Sequence, residues 1–245
     1  MRIVSHTCSN TEIVCALGCA NLLVGVDDHS DYPVEVVRKL PRIGPDLSVD
    51  VEKVKELKPD LVLTSLTVPG HEKIIEALQA AKLPLLVVEP VSLNDVYSDI
   101  SRIAEALGVS SRGQDLVSRM RAQAADIGAP VESRPSILVE WWPKPVIVPG
   151  RYSWVSDMLA AVGAKNPWRE RECKSTPIAD SEVIAAAPDA VVQLLDEGIL
   201  HSSRASNISL GAFAAITALV HRSSLYVASV AESSRRRTGV HASQC

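Results

Sequence analysis

The sequence predicts an α/β protein made of two similar lobes. Three observations carry this. Short β-branched runs alternate with helical patterns through the first 110 residues, which favours a mostly parallel sheet with helices on both faces. A helix–Pro–Asp–strand unit occurs twice, at Val54–Val62 and again at Val183–Val191. A long helical stretch, Ser111 to Gly128, has no strand close by on either side and lies between the two copies.

The elements follow in order. Arg2–Ser5 reads as a strand. Ser9 with Glu12 three on has the spacing of a capping box, and Gly18 stops the helix that follows. Leu22–Val26 is a second strand. Val51, Val54 and Leu57 recur at helical spacing until Lys58-Pro59 ends the run. Leu61–Thr64 and Leu85–Val88 are strands around a helix over 72–81. Ser92 with Asp95 opens another helix, to Leu107-Gly108. Ser111 to Gly128 places Leu116, Met120 and Ala124 four apart, a helix of about 26 Å. It reads as a strut spanning two domains or as an ordinary covering helix. Ile137–Glu140 is a strand running into Trp141-Trp142-Pro143. Val155, Met158, Leu159 and Val162 form a helical stripe closed by Gly163. Asp180 caps a helix through Val183, and Ala190–Leu194 is a strand. This gives an N-terminal α/β lobe over 1–110, a linking helix over 111–128, a partial C-terminal lobe over 129–200 and an atypical tail over 201–245. The tail's 45 residues hold ten serines and five arginines but no Lys, Asp, Pro or Trp, and the α/β rhythm is lost there.

Composition narrows the function. A net charge of −4 argues against a nucleic-acid binder, which would show a basic face. Five cysteines lack paired metal spacing and read as small buried residues or idle thiols. No span is long and apolar enough for a membrane helix. Met1 opens directly into a strand pattern, with no export leader in the residues given. Glycine-rich phosphate loops, His-Glu-x-x-His and Gly-x-Ser-x-Gly are all missing from the sequence, so catalysis has no local support.

The positive signal is aromatic. Of nine aromatic residues, Trp141, Trp142, Tyr152 and Trp154 fall within fourteen positions. Strand neighbours face opposite ways, so two adjacent tryptophans cannot both enter one core layer. At the carboxyl end of a strand, at least one reaches the crevice where α/β sheets bind ligands. Indole suits a large planar ligand; core packing is the alternative. Glu72 and Glu182 each sit in the first turn of a helix, where the dipole alone accounts for a carboxylate. Asp27-Asp28-His29-Ser30-Asp31 is a polar loop after a strand, either a solvated turn or a cleft edge.

Together these stretches resemble a known family. Ser9-Asn10-Thr11-Glu12 with Ala16-Leu17-Gly18, Val24-Gly25-Val26 with Ser30-Asp31-Tyr32-Pro33, and Leu57-Lys58-Pro59-Asp60-Leu61-Val62 carry the likeness. So do Pro149-Gly150 and Glu182-Val183 with Pro188-Asp189. The chain resembles the BtuF-like, cobalamin-binding branch of the iron–siderophore/vitamin B12 substrate-binding proteins of ABC importers, over roughly residues 2–195. The resemblance implies two Rossmann-like lobes joined by one long rigid helix, with the ligand between them. It also implies a non-catalytic, exported, monomeric protein that partners an ABC permease and its ATPase. It carries no cofactor, the corrinoid being cargo. Glu72 and Glu182 match the glutamates that dock on the permease. Trp141 matches a ligand-facing aromatic, with Trp142 adjacent. His29, Ser65 and Thr176 stand where the B12 binder has aromatics, so these three, with the Cys8-Ser9 helix start, are expected to line the opposing edge. Nothing after about Leu200 resembles the family, so the second lobe is expected to be incomplete. A haem or iron–siderophore ligand on the same fold, and a cytosolic α/β enzyme tested by Cys8→Ala, are the alternatives. A damaged, non-functional product is a third, suggested by the tail.

Overall fold

The computed structural model describes residues 1–127, 134–193 and 202–204. These fall into two compact units. Unit 1 takes Met1–Glu89 and Ser98–Ser118; unit 2 takes Pro90–Tyr97 and the described residues from Arg119 onward.

Unit 1 begins with β1 (Ile3–Ser5), α1 (Cys8–Ala16), β2 (Leu23–Val26), the short α2 (Val34–Val37) and α3 (Val51–Glu56). Next come β3 (Leu61–Ser65), α4 (His71–Ala80) and β4 (Leu85–Val88). All four strands are parallel, in the order β2-β1-β3-β4. Val4 and Val62 pack with Ile43, Val54, Ile74 and Leu78. Their strand neighbours Ile3 and Leu63 are just as buried, so both faces of the sheet are covered. Each such side chain contributes about 1.5–3 kcal/mol through burial. The Ser9–Glu12 capping box does not form. Thr7 is the residue before α1, and Glu12 is carried into the interior.

Two long helices follow, α5 (Leu93–Ala106) and α6 (Ser110–Ile127). Ser92 and Asp95 cap α5 reciprocally: the Asp95 N–H donates to Ser92 Oγ at 3.2 Å, and the Ser92 hydroxyl donates to Asp95 Oδ2 at 2.8 Å. In α6, Leu116 and Met120 are buried. Gly128 lies outside the described residues.

Unit 2 is mixed rather than parallel throughout. It contains β5 (Ile137–Glu140), β6 (Trp142–Pro143), β7 (Val146–Pro149), α7 (Trp154–Ala161), β8 (Ser175–Ile178), α8 (Asp180–Ala186), β9 (Ala190–Gln193) and β10 (Ser202–Arg204). β5 and β9 are parallel, and β10 joins β9 antiparallel. The run after Glu140 is not one strand. Trp141 forms the bend, and β6, β7 and β8 make an antiparallel sheet of their own. Leu138, Val148, Trp168 and Ile178 form the core here. The tail from residue 205 lies outside the described residues.

The repeat seen in the sequence is a structural repeat. Lys58 and Ala187 occupy equivalent positions and take φ of 47° and 40°. Each precedes Pro-Asp. The Asp60 carboxylate accepts the Arg2 N–H at 2.7 Å while the Asp60 N–H donates to the Arg2 carbonyl at 2.8 Å. In unit 2 the Asp189 carboxylate accepts the Ser136 N–H at 2.7 Å, and its N–H donates to the Ser136 carbonyl at 2.7 Å. The same two-bond clasp therefore fastens the start of the first strand in each unit.

Candidate functional site

In an open parallel sheet, ligands collect outside the carboxyl ends of the strands where the strand order reverses. In unit 1 that place is the end of β1 beside the end of β3. The chain turns there from strand to helix within two residues, His6 and Thr7. Thr7 takes φ 81°, ψ 136°, a left-handed conformation that costs a non-glycine residue about 1–3 kcal/mol. Side-chain bonds hold the turn. Thr7 Oγ1 is 3.0 Å from Ser65 Oγ and 3.3 Å from Ser9 Oγ. Asn10 Nδ2 donates to the His6 carbonyl at 2.9 Å and to Ser65 Oγ at 3.0 Å. The Thr7 side chain does not cap α1.

This geometry sorts the residues picked from the sequence. Ser9 is exposed on the first turn of α1, and Cys8 beside it is half-buried. Burial, and then the neighbouring Glu12, push the Cys8 thiol up to about 12, so it stays protonated and is no nucleophile. Ser65 is sealed in, its hydroxyl engaged by Thr7 and Asn10; it shapes the rim from behind. Glu12 is 2% exposed, with no hydrogen-bond partner on either oxygen. Burial, and secondarily Asp31, push its carboxyl up to about 9, which keeps it protonated at neutral pH.

His29 stands exposed just beyond β2. Its loop is pinned at both sides: Arg42 Nη1 donates to the carbonyls of Asp27 and Ser30, each at 2.7 Å. The His29 N–H donates to Asp27 Oδ2 at 3.3 Å. Three imidazoles converge on Asp46. His6 Nε2 donates to the Asp46 carbonyl at 2.8 Å, so its Nδ1 accepts from the Thr64 hydroxyl at 2.7 Å. Burial lowers the His6 pKa and keeps this ring neutral. His71 Nδ1 accepts the Thr67 N–H at 3.4 Å, which leaves the proton on Nε2, 3.6 Å from Asp46 Oδ2. His29 Nε2 lies 3.5 Å from Asp46 Oδ1. Sequence reasoning missed His6, Asp46 and His71. The one available signal was a histidine placed directly after a strand, at Ser5-His6.

In unit 2 the carboxyl end of β5 leads into Trp141. Trp141 is half-buried, and its backbone N–H donates to the Ile147 carbonyl at 2.8 Å. Trp142 opens β6; its side chain lies outside the described residues. Thr176 is half-buried in β8, opposite Val148, with its hydroxyl turned to the Pro177 carbonyl. Gly150 follows β7 so closely packed that a Cβ there would lie 2.5 Å from the Cys173 carbonyl oxygen.

Glu72 and Glu182 share one local chemistry. Glu72 Oε2 accepts the Gly70 N–H at 2.9 Å, just ahead of α4. Glu182 Oε2 accepts the Ala179 N–H at 3.0 Å, just ahead of α8. Glu182 also pairs with Arg171; the Ala179 N–H first, then Arg171, hold its carboxyl below the usual range. Among the described residues no cluster of three or more His, Cys, Asp or Glu side chains is arranged to hold a metal ion. No described helix is long and apolar enough to cross a membrane.

The chain has the α/β fold of the two-lobe substrate-binding proteins. It belongs to the periplasmic binding protein family, whose family model matches residues 3–196. It is 33% identical over 199 residues to an uncharacterized ABC transporter substrate-binding lipoprotein, YvrC, of Bacillus subtilis, covering 78% of this chain and 62% of that one. The chain thus spans under two thirds of that relative. It is 22% identical to the vitamin B12-binding protein of Yersinia pestis, over 78% of this chain and 68% of that one. Among solved structures, the periplasmic haem-binding protein RhuT of Roseiflexus superposes with a TM-score of 0.69 at 31% identity, covering 80% of this chain and 76% of that one. The vitamin B12-binding protein BtuF of Vibrio cholerae shares the fold at 18% identity, with a TM-score of 0.64 and 97% of each chain covered.

Proposed function

We propose that this chain is the extracytoplasmic substrate-binding component of an ABC importer, carrying a large metal-centred macrocycle, first of all a corrinoid. The observation that carries the reading is the character of the unit 1 rim. Its exposed groups are the His29 imidazole and the Ser9 hydroxyl, the latter held by the buried Thr7 and Asn10 behind it, while the Arg42 guanidinium is spent on two carbonyls. Such a rim suits the neutral amides around a corrin ring. Trp141 supplies flat apolar surface at the end of β5, with Trp142 next to it in the chain. Cys8 and Ser9 open α1 toward the ligand, and Ser65 acts through Thr7. Thr176 contributes a second hydroxyl in unit 2. The thiol of Cys8, held at about 12, speaks against the enzyme reading.

A second reading, haem, is favoured by the 31% identity to a haem-binding structure. It requires cations for the two propionates, and Arg151, exposed and paired with Glu172 at 3.2 Å, is the nearest candidate.

Calorimetry with cyanocobalamin, hemin and a ferric siderophore tests the reading. Cyanocobalamin binds best, and Trp141→Ala weakens it by about 1–3 kcal/mol. Equal affinity in Trp141→Ala and Trp142→Ala removes the indole wall. Glu72→Ala and Glu182→Ala keep full ligand affinity and lower uptake by the assembled importer. Normal uptake returns both to the role of helix-start acceptors.

A further inference from the structure

We infer that Glu12 is a proton latch: its uncharged carboxyl lets α1 lie against the segment that follows β2, and loss of that proton lifts α1 away. Glu12 is sealed in the interior, and neither carboxyl oxygen has a hydrogen-bond partner among the described residues. A neutral acid can stay in such a place; an ionised carboxylate without a partner cannot. The neighbours make ionisation harder still. On α1 itself, Cys8 lies one turn before Glu12 and Cys15 one turn after, on the same helix face. Asp31 faces it from the loop after β2. Asp27 of that loop adds negative charge beside Cys8, and Glu35 of α2 adds it beside Cys15. The strands β1, β2 and β3, which also pack on α1, carry no ionisable side chain. Arg112 of α6 meets α1 at its far end, where it donates to the Leu17 carbonyl at 3.1 Å.

The latch sits where it can move the rim. The residue before it, Thr11, places Oγ1 2.8 Å from Ser30 Oγ, so α1 meets the loop at this point. Ser9 at the start of α1 and His29 on the loop are the exposed groups on either side. Burial, and then Asp31, push the Glu12 carboxyl up to about 9. A group that gives up its proton more readily when α1 is lifted makes lifting more frequent as pH rises. The gain is about tenfold per pH unit, from the ordinary carboxyl range up to about 9. The contact is therefore tightest in acid and loosens steadily toward alkali, whatever the rim binds. Cys8 and Cys15 are built-in reporters of this motion. Burial first, and then Glu12, push both thiols up to about 12 while α1 is down, so they react only when it lifts.

Alkylation of the full chain by iodoacetamide, read cysteine by cysteine in a mass spectrometer between pH 7 and 9, tests the latch. Half-buried Cys173, in unit 2, is the internal reference. Relative to Cys173, alkylation of Cys8 and Cys15 rises about 10-fold per pH unit in the wild type. Glu12→Gln, which has no proton to lose, removes that rise. Asp31→Asn keeps the rise and makes it smaller, because the ionised Glu12 is then less strongly repelled. A rise that is the same in wild type and Glu12→Gln overturns the latch. A rise that Cys173 shares in full is unfolding of the whole chain and overturns it as well. Should Glu12→Gln fail to fold, Asp31→Asn decides: a rise undiminished in that variant overturns the latch, and a diminished one upholds it.

Discussion

The two units share a clasp and differ at their rims. At Lys58-Pro59-Asp60 and Ala187-Pro188-Asp189, the same left-handed residue, the same proline and the same pair of aspartate bonds fasten the first strand. Beyond the strands the resemblance ends. Unit 1 finishes in a strained turn, hydroxyls and three imidazoles gathered on Asp46. Unit 2 finishes in an indole and an antiparallel hairpin. The repeat carries the architecture, and what differs between the copies is the chemistry offered to a ligand. A fold can be copied without copying its site.

The largest expected effect separates the units by pH. Glu12, buried in unit 1, titrates near 4.5 when the chain is unfolded and near 9 when folded. Between those values the folded state keeps a proton the unfolded state has lost. Stability therefore falls as pH rises from about 4.5 to about 9, at roughly 1 kcal/mol per pH unit. Urea unfolding between pH 5 and 8 tracks this loss, about 3 kcal/mol in all. Glu12→Gln flattens the slope; a variant with the wild-type slope assigns the proton elsewhere.

A smaller effect tests the clasps. Asp189→Ala removes acceptors in a half-buried place and costs about 1–2 kcal/mol, whereas the more exposed Asp60→Ala costs about 0.5–1. Because they lie in different units, the double variant sums the two within about 0.5 kcal/mol. A large departure from additivity would mean that the clasps do not act unit by unit. Smallest of all, Lys58→Gly and Ala187→Gly relieve a positive φ and stabilise by about 0.5 kcal/mol each in thermal melts. Opposite signs at the two sites would break the equivalence.

Much of the fold was legible because it depends on local signals. The alternation over 2–88 and the Pro-Asp pairs located β1 to β4, β5 and β9 within a residue or two. The hairpin after Glu140 was not legible. Trp142-Pro143 and Lys144-Pro145 look like the end of one strand, and what makes them a hairpin is pairing with Ile147 and Val146. Glu12 was misread because Ser-x-x-Glu spacing is the same whether or not the helix begins at that serine. The helix starts at Cys8, which rotates Glu12 inward. The imidazole cluster was out of reach for a different reason. His6, Asp46 and His71 are 40 and 25 residues apart, and only the parallel order of the strands brings them together. His29 was picked because it stands where the resembling B12 binder has an aromatic, in a polar loop after a strand. Its partner Asp46, seventeen residues on, carried no mark in the sequence.

Arg42 has one more consequence. By tying two carbonyls of the same loop with one guanidinium, it turns the stretch from Asp27 to Ser30 into a closed hoop. On the proposed reading, a ligand docking there would meet an edge already stiffened during folding, with little motion left to be quenched on capture. Retention and release at that edge would then depend on what touches the hoop, with no slow loop rearrangement to wait for.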